Sequence, residues 1–371
     1  MDKIRLCVPC HFGLERVVAF EAKKAGGDNI AITDGKVSFD GDFETLAKAN
    51  LWISAGERVL IELASFEAKS FEQLFEGVKG IHLEEFVGKN DAFPVKGSCL
   101  NSKLHSVPDC QRIIKKACVK RLERVYGISY FEETGAKHQI QFNILKDKAS
   151  IYLDTSGEGL HKRGYRRNSN DAPIKETLAA GIIDLARVRE NTIVCDPMCG
   201  SGTFLIESAY KAMNIACGLR RNFAAQQWEQ IPQSVWQNAR AEAMDLIKRD
   251  CGFKGVGFDI DELAIDLTSA NAKKAGVSGR IEVRQQDISK LALPGNCTLF
   301  CNPPYGERLL DIKSAEELYK KMGQVIRPSK DNPCYIISPH EEFEKFFGKK
   351  ADKKRKLYNG MIKCDLYMYF R

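Results

Sequence analysis

Residues 192–204, TIVCDPMCGSGTF, pass from a β-type apolar run through Asp196 into a glycine-rich turn that opens a helix-forming stretch. The same change of pattern recurs on both sides. KGVGFDI (254–260), RIEVRQQD (280–287), CTLFCNPP (297–304) and CYIISP (334–339) read as strands. Residues 174–189, 203–217, 233–250, 261–275 and 314–327 read as helices, and KLYNGMIKCDLYMYF (356–370) as a closing hairpin. Strands alternating with helices predict an α/β fold, a mostly parallel sheet with helices on both faces. Ligands of such sheets bind beyond the carboxyl ends of the strands.

The strand ends carry the polar residues. Gly200 and Gly202 allow positive φ and close approach of backbone to a ligand, and the helix beyond them presents free N–H groups. The spacing of a dinucleotide-binding GxGxxG is absent, as is the GK[ST] ending of a P-loop. Asp259 ends the next strand, where a carboxylate can accept from a ribose diol. Asp261 fits a helix cap, and Asp287 can accept from an adenine amino group. FCNPPYGER (300–308) is the most specific stretch. Pro303 and Pro304 fix φ and remove two donors. The turn is left with acceptors, the Asn302 side-chain oxygen and the Pro303 carbonyl, which can hold the two protons of an sp² amino group. Tyr305 offers a flat face for a planar group. A stiff turn after an edge strand remains the bland alternative for NPPY alone.

Residues 1–155 mix strands (5–10, 57–66, 138–147, 148–156) with helices (14–26, 109–127), an α+β pattern. Helix 109–127 has a cationic outer face that includes Lys116 and Lys120. The turn-rich, basic stretch SGEGLHKRGYRRNSNDAP (156–173) reads as a linker, in which Arg163, Tyr165 and Arg166 could meet phosphates or could form an ordinary surface loop. Lys353–Lys356 forms a third basic cluster, read as a solvated hairpin. Trp228 and Trp236 read as packing residues. The 371 residues exceed one ordinary core. The net charge of +7 permits a polyanionic partner without requiring one. No apolar run is long enough to span a bilayer and no export signal is visible, so a cytoplasmic protein is expected, its 13 cysteines reduced. Cys7, Cys10 and His11 make a CxxCH string without a second ligand pair nearby, so no metal is expected.

Taken together, these residues resemble the class I amino-methyltransferases. NPPY is similar to their catalytic signature and DPMCGSGT to their S-adenosylmethionine loop. LHKRGYR (160–166), APIKETLAAGII (172–183), GFDIDELAIDLTSANAKKAG (257–276) and LYNGMIKCDLYMY (357–369) extend the resemblance to the THUMP-containing RNA guanine-N2 methyltransferases, in particular to the amino-terminal methylase half of the bacterial large-subunit rRNA enzyme. Relatives of this kind often carry the label N6-adenine-specific DNA methylase. The resemblance implies a Rossmann-like methyltransferase domain with a seven-stranded sheet at 156–371, after a ferredoxin-like part (1–50) and a THUMP RNA-binding domain (51–155). It implies S-adenosyl-L-methionine bound by Asp196, Met198, Cys199, Gly200, Gly202, Thr203, Asp259, Ile260, Asp287 and Asn302. Catalysis would fall to Asn302, Pro303, Pro304 and Tyr305. RNA, as large-subunit rRNA, would meet Arg163, Tyr165, Arg166, Lys116 and Lys120. The rival readings are a DNA adenine-N6 methyltransferase, a protein glutamine methyltransferase and a non-catalytic RNA-binding assembly factor.

Overall fold

The structure, a computed structural model, describes residues 3–166, 173–305 and 311–371. Arg167 of the second basic cluster, and the last three residues of FCNPPYGER, lie outside these ranges.

The first half runs β1 (Ile4–Pro9), α1 (Glu15–Lys24), β2 (Asp28–Thr33), β3 (Lys36–Gly41), α2 (Phe43–Trp52), β4 (Leu60–Glu67), α3 (Phe71–Lys79), β5 (Val95–Leu100), α4 (Val107–Tyr126), β6 (Ile140–Leu145) and β7 (Lys148–Asp154). Its strands form one sheet of order β2-β3-β1-β4-β7-β6-β5, in which only β5 and β6 run parallel. Strand β4 pairs with β1 on one side and β7 on the other. The division expected at residue 50 therefore falls inside α2, and the sheet continues across it. In β6 alternate residues bury against the helices; Ile140, Phe142 and Ile144 are at most 2% exposed. Five elements here did not stand out in the sequence. Strand β2 is a largely exposed edge with little alternation, and Gly97 interrupts β5. Helices α2 and α3 do carry caps, Asp42 accepting from the Thr45 amide at 2.8 Å and Ser70 from that of Gln73 at 3.2 Å.

The second half runs α5 (Glu176–Leu185), β8 (Ile193–Asp196), α6 (Thr203–Ala212), α7 (Gln233–Asp245), β9 (Lys254–Asp259), α8 (Glu262–Ala275), β10 (Ile281–Gln285), β11 (Cys297–Cys301), α9 (Ile312–Val325), β12 (Cys334–Ser338), α10 (Phe343–Phe347), β13 (Lys353–Asn359) and β14 (Ile362–Tyr369). The sheet has seven strands in the order β10-β9-β8-β11-β12-β14-β13, parallel except for β14. This is the α/β architecture expected. The central strands β11 and β12 are wholly buried, as strands covered on both faces must be. Helices α5 and α6 stop earlier than their apolar periodicity implies, because Arg187 (φ 59°) and Asn214 (φ 54°) turn left-handed. No helix among the described residues is long and apolar enough to cross a membrane.

Segment 156–166 does not behave as a linker. Asn50 of α2 donates to Thr155 Oγ1 at 2.9 Å and accepts from Ser156 Oγ at 2.7 Å, all three residues fully buried. Arg163, 2% exposed, faces both oxygens of Glu207 on α6 at 3.3 Å and donates to the carbonyls of Ser54 (2.6 Å) and Leu160 (2.8 Å). Tyr165, 1% exposed, donates to Glu207 Oε1 at 3.0 Å. These groups join the two halves. The halves also meet where Leu14 packs on Gly181 of α5; a Cβ there would lie 2.3 Å from Leu14 Cδ1. Trp228 stacks on His138, and Trp236 on Phe223, both indoles buried.

Candidate active site

The path of the chain through the second sheet reverses at its centre. From β8 it moves to β9 and β10 on one side, then crosses back to β11 on the other. A crevice opens beyond the carboxyl ends of strands at such a switch point. The glycine-rich turn follows β8 and the Asn302 turn follows β11, so the two most distinctive stretches of the sequence become neighbours. Together they line one cavity of about 540 Å³, with Asp259 of β9, Asp287 after β10, one face of α9 and the Pro173–Ile174 segment.

The glycine turn is shaped from behind. Gly200 (φ 53°) and Gly202 (φ 79°) are both left-handed. The Gly200 amide donates to Asp259 Oδ2 at 2.9 Å, and the Cys199 amide to the Phe258 carbonyl at 2.9 Å. Helix α8 supports the other side: Thr268 Oγ1 donates to the Gly200 carbonyl at 2.9 Å and Asn271 Nδ2 to that of Ser201 at 3.0 Å. A Cβ on Gly202 would lie 2.6 Å from Thr268 Cγ2. Thr268 and Asn271 escaped the sequence reading, because a polar residue within a helix carries no mark of what it faces.

Three carboxylates sit in different circumstances. Asp196 is 2% exposed and accepts from the Met198 amide at 3.2 Å. Burial, with Asp259 nearby, pushes its carboxyl up to about 8. Asp259 accepts from Gly200 and, at 3.1 Å, from the Asp261 amide, which leaves lone pairs for a ligand. Asp261 caps α8 through the Leu263 amide at 3.0 Å. Asp287 accepts from the Ser289 amide at 2.7 Å, and the Ser289 hydroxyl together with that amide lowers its carboxyl below the usual range. Ile260, 67% exposed, lies on the cavity rim and can cover a planar group.

At the opposite wall, Asn302 Oδ1 is buried yet has no hydrogen-bond partner among the described residues. Pro303 and Pro304 follow it. The Tyr305 hydroxyl accepts from Asn359 Nδ2 of the closing hairpin at 2.9 Å, which fixes the ring in the wall, and burial raises its phenol to about 12. Asn359 was not legible as a site residue, since its role arises only when β13 folds back on the turn. Ser314, Glu317, Leu318 and Lys321 of α9 line the cavity and were likewise missed.

The residues expected to meet RNA stand apart from one another. Arg163 and Tyr165 are buried at the joint between the halves, and this corrects their assignment: the partner of Arg163 is Glu207, not a phosphate. Arg166 faces Glu176 at 3.3 Å and donates to the Ile174 carbonyl at 3.2 Å and to Thr203 Oγ1. Lys120 pairs with Glu123 at 2.6 Å, and Lys116 lies over the Phe75 ring. Much of the cationic face of α4 is neutralised in place, Lys115 by Glu133 and Arg121 by Glu84. Cys7 and Cys10 are buried, and His11 Nε2 lies 3.1 Å from Glu57.

The sequence matches three family models: the RlmL ferredoxin-like domain over residues 5–60, the THUMP domain over 68–154 and the RMKL-like methyltransferase domain over 163–368. The "Putative RNA methyltransferase YpsC" of Bacillus subtilis (strain 168) is 41% identical over all of this chain and 97% of its own length. The "Ribosomal RNA large subunit methyltransferase K/L" of Psychromonas ingrahamii is 33% identical over 98% of this chain; the match spans 49% of that protein. The crystal structure of SMU.472, described as a putative methyltransferase complexed with SAH, superposes with a TM-score of 0.93 at 38% identity, covering 100% of this chain and 98% of that one. The resemblance read from the motifs therefore holds over the whole sequence, and the chain belongs to the RMKL-like methyltransferase family, with RlmL ferredoxin-like and THUMP domains in front of the catalytic one.

Proposed function

We propose that this chain is an S-adenosylmethionine-dependent RNA methyltransferase that modifies the exocyclic amine of a base, guanine N2 of ribosomal RNA. The observation that carries the chemistry is Asn302 Oδ1, a buried acceptor without a partner among the described residues, in the cavity that also holds the glycine turn. Leaving such an atom unpaired costs about 1–3 kcal/mol, a cost that a donor on the substrate relieves. The THUMP domain and the RNA-directed names of the relatives support the choice of RNA.

A cavity of about 540 Å³ suits a ligand the size of a nucleoside. The turn at Met198, Cys199, Gly200, Gly202 and Thr203 would lie along the amino-acid portion of the cofactor, with Asp196 beside its ammonium. Asp259 would accept from the ribose, and Asp287 and Ile260 would hold the adenine. Bound there, the cofactor supplies a methyl group already activated by its sulfonium. Asn302 Oδ1 and the Pro303 carbonyl would accept hydrogen bonds from the two amine N–H groups and aim the nitrogen lone pair at that methyl. As the nitrogen gains positive charge, both acceptors bind it more strongly, which stabilises the transition state over the ground state. The N–C bond would form as the C–S bond breaks, leaving the cofactor as the neutral thioether; neither acceptor can take the proton, which the cationic product would give to water. Tyr305 walls the base, which must be unpaired or flipped to enter.

The test is transfer of labelled methyl to total RNA, to DNA and to protein, followed by mass spectrometry of the RNA nucleosides. Label in RNA as N2-methylguanosine is expected. Label in DNA or protein with none in RNA would overturn the proposal.

A further inference from the structure

The first sheet has two unlike faces. One is buried beneath helices. The other carries Lys96, Gln141 and Tyr152 in one cross-strand row and Ser98, Asn143 and Ser150 in the next. This face is open along β5 and β6, where the paired Leu100 and Leu145 are 60% and 41% exposed, and closes toward β7, where Ser150 and Tyr152 are buried. A groove of about 620 Å³ runs across it and extends to Lys36 and Gly35. Three lysines (Lys36, Lys96 and Lys148) line it against two acids, Asp34 and Glu62. Amide and hydroxyl side chains supply the rest of its polar surface, and Lys36 Nζ donates to the Tyr152 hydroxyl at 3.1 Å.

The end of the groove at Gly35 is joined to the catalytic turn by a short series of contacts. The Phe12 ring abuts Gly35, about 3.6 Å from where a Cβ would stand. Phe12 is 52% exposed, yet its loop is tied down: Glu15 accepts from the Gly13 amide at 2.8 Å and the Gly35 amide at 3.1 Å, and Arg355 of β13 donates to the Gly13 carbonyl. Tyr358 of β13 lies 6.4 Å from Phe12, ring centre to ring centre. The next residue, Asn359, holds the Tyr305 hydroxyl. A solvent-facing phenyl on a fixed loop, between a base-accepting turn and a lysine-lined groove, has the form of a stacking platform for single-stranded nucleic acid.

We propose that an unpaired RNA strand leaving the catalytic cavity stacks on Phe12 and Tyr358 and continues across the open face of the first sheet, its phosphates held by Lys36, Lys96 and Lys148. This rests on the RNA reading above and deepens it. It moves the RNA track away from α4, whose cations are largely paired within the protein.

The test uses the full chain and a fluorescein-labelled single-stranded oligoribonucleotide of mixed sequence, read by anisotropy over a salt series. Lys96→Ala with Lys148→Ala should reduce the slope of log affinity against log salt by about 1.4, two phosphate contacts on a single strand. Phe12→Ala should weaken binding about tenfold and leave the slope unchanged. Lys116→Ala with Lys120→Ala should leave both within twofold. All substituted side chains are at the surface, and S-adenosylmethionine affinity and the unfolding temperature serve as checks on the fold. Unchanged affinity and slope in the first two variants, or an equal loss in the α4 variant, would overturn the track. Wild-type protein that binds and methylates RNA beside unaffected groove variants would fault the track alone. Wild-type protein that neither binds nor methylates RNA would fault the RNA reading and the track with it.

Discussion

Replacing Asp196 by Asn should stabilise the cofactor-free protein while depriving it of its cofactor. The Asp196 carboxyl is 2% exposed, its one described hydrogen bond comes from a backbone amide, and its charged neighbour is the like-signed Asp259. Burial raises it from 3.8 to about 8. An unfolded chain releases this proton near pH 4, whereas the folded chain keeps it until pH 8. Between those values the folded state binds more protons, so stability falls as pH rises, and the full penalty is present above pH 8. At about 1.36 kcal/mol per unit, four units amount to roughly 5 kcal/mol, of which about 4 kcal/mol is felt at pH 7. An asparagine of nearly the same shape carries no such penalty. Thermal unfolding of the cofactor-free protein from pH 5 to 8.5 should show Asp196→Asn above wild type at pH 8, the gap narrowing toward pH 5. Calorimetry should show the opposite ranking for S-adenosylmethionine, with about 100-fold weaker binding, a charge-assisted hydrogen bond being worth about 1.5–3 kcal/mol. A variant less stable than wild type by the same amount at pH 5 and pH 8 would refute the reasoning, because it would mean that the carboxylate is already well solvated or paired.

Three further outcomes are expected. Asn302→Ala should lower turnover by about 10²–10³, the effect of deleting one preorganised polar contact to the transition state, with cofactor affinity within a few-fold by calorimetry; near-native single-turnover rates would remove Asn302 from its role. Arg163→Ala strands Glu207 as a buried unpaired charge and should cost about 3–5 kcal/mol in denaturant unfolding, while the folded fraction keeps its RNA affinity; intact stability with lost RNA binding would restore the phosphate-contact reading. Gly202→Ala meets both a φ of 79° and the Thr268 methyl 2.6 Å away. It should cost about 1–3 kcal/mol and weaken cofactor binding at least tenfold, and a crystal structure with an undisturbed turn would contradict that.

The catalytic half was legible because its strands end in residues that strands do not otherwise favour. Asp196, Asp259 and Asn302 each mark the point where the chain leaves the sheet, and alternation supplied the order of elements. What the sequence conceals is partnership at a distance. Arg163 reads as a surface cation until Glu207, on another element, is found beneath it. Asn359, Thr268 and Asn271 gain their roles only from what the fold lays against them. The first half was read less completely for a different reason. Of its three missed strands, β2 is an exposed edge and β5 a glycine-broken edge, where neither face is buried strongly enough to impose alternation, and β3 buries Val37 and Phe39 but offers only those two apolar positions to show a period. The divide expected at residue 50 falls inside α2, and the pairing of β4 with both β1 and β7 is a long-range event that no local pattern announces.

That shared strand has a geometric consequence. With β4 paired to β1 and β7, residues 4–154 share one sheet, and Arg163 joins its side of the molecule to the domain that holds the cavity, through the Ser54 carbonyl on one hand and Glu207 on the other. On the track proposed above, RNA held by this sheet would lie at a span from Asn302 that the shared sheet and the Arg163 joint set, and target choice is expected to follow, as with a ruler, from how far the modified nucleotide lies from the feature held.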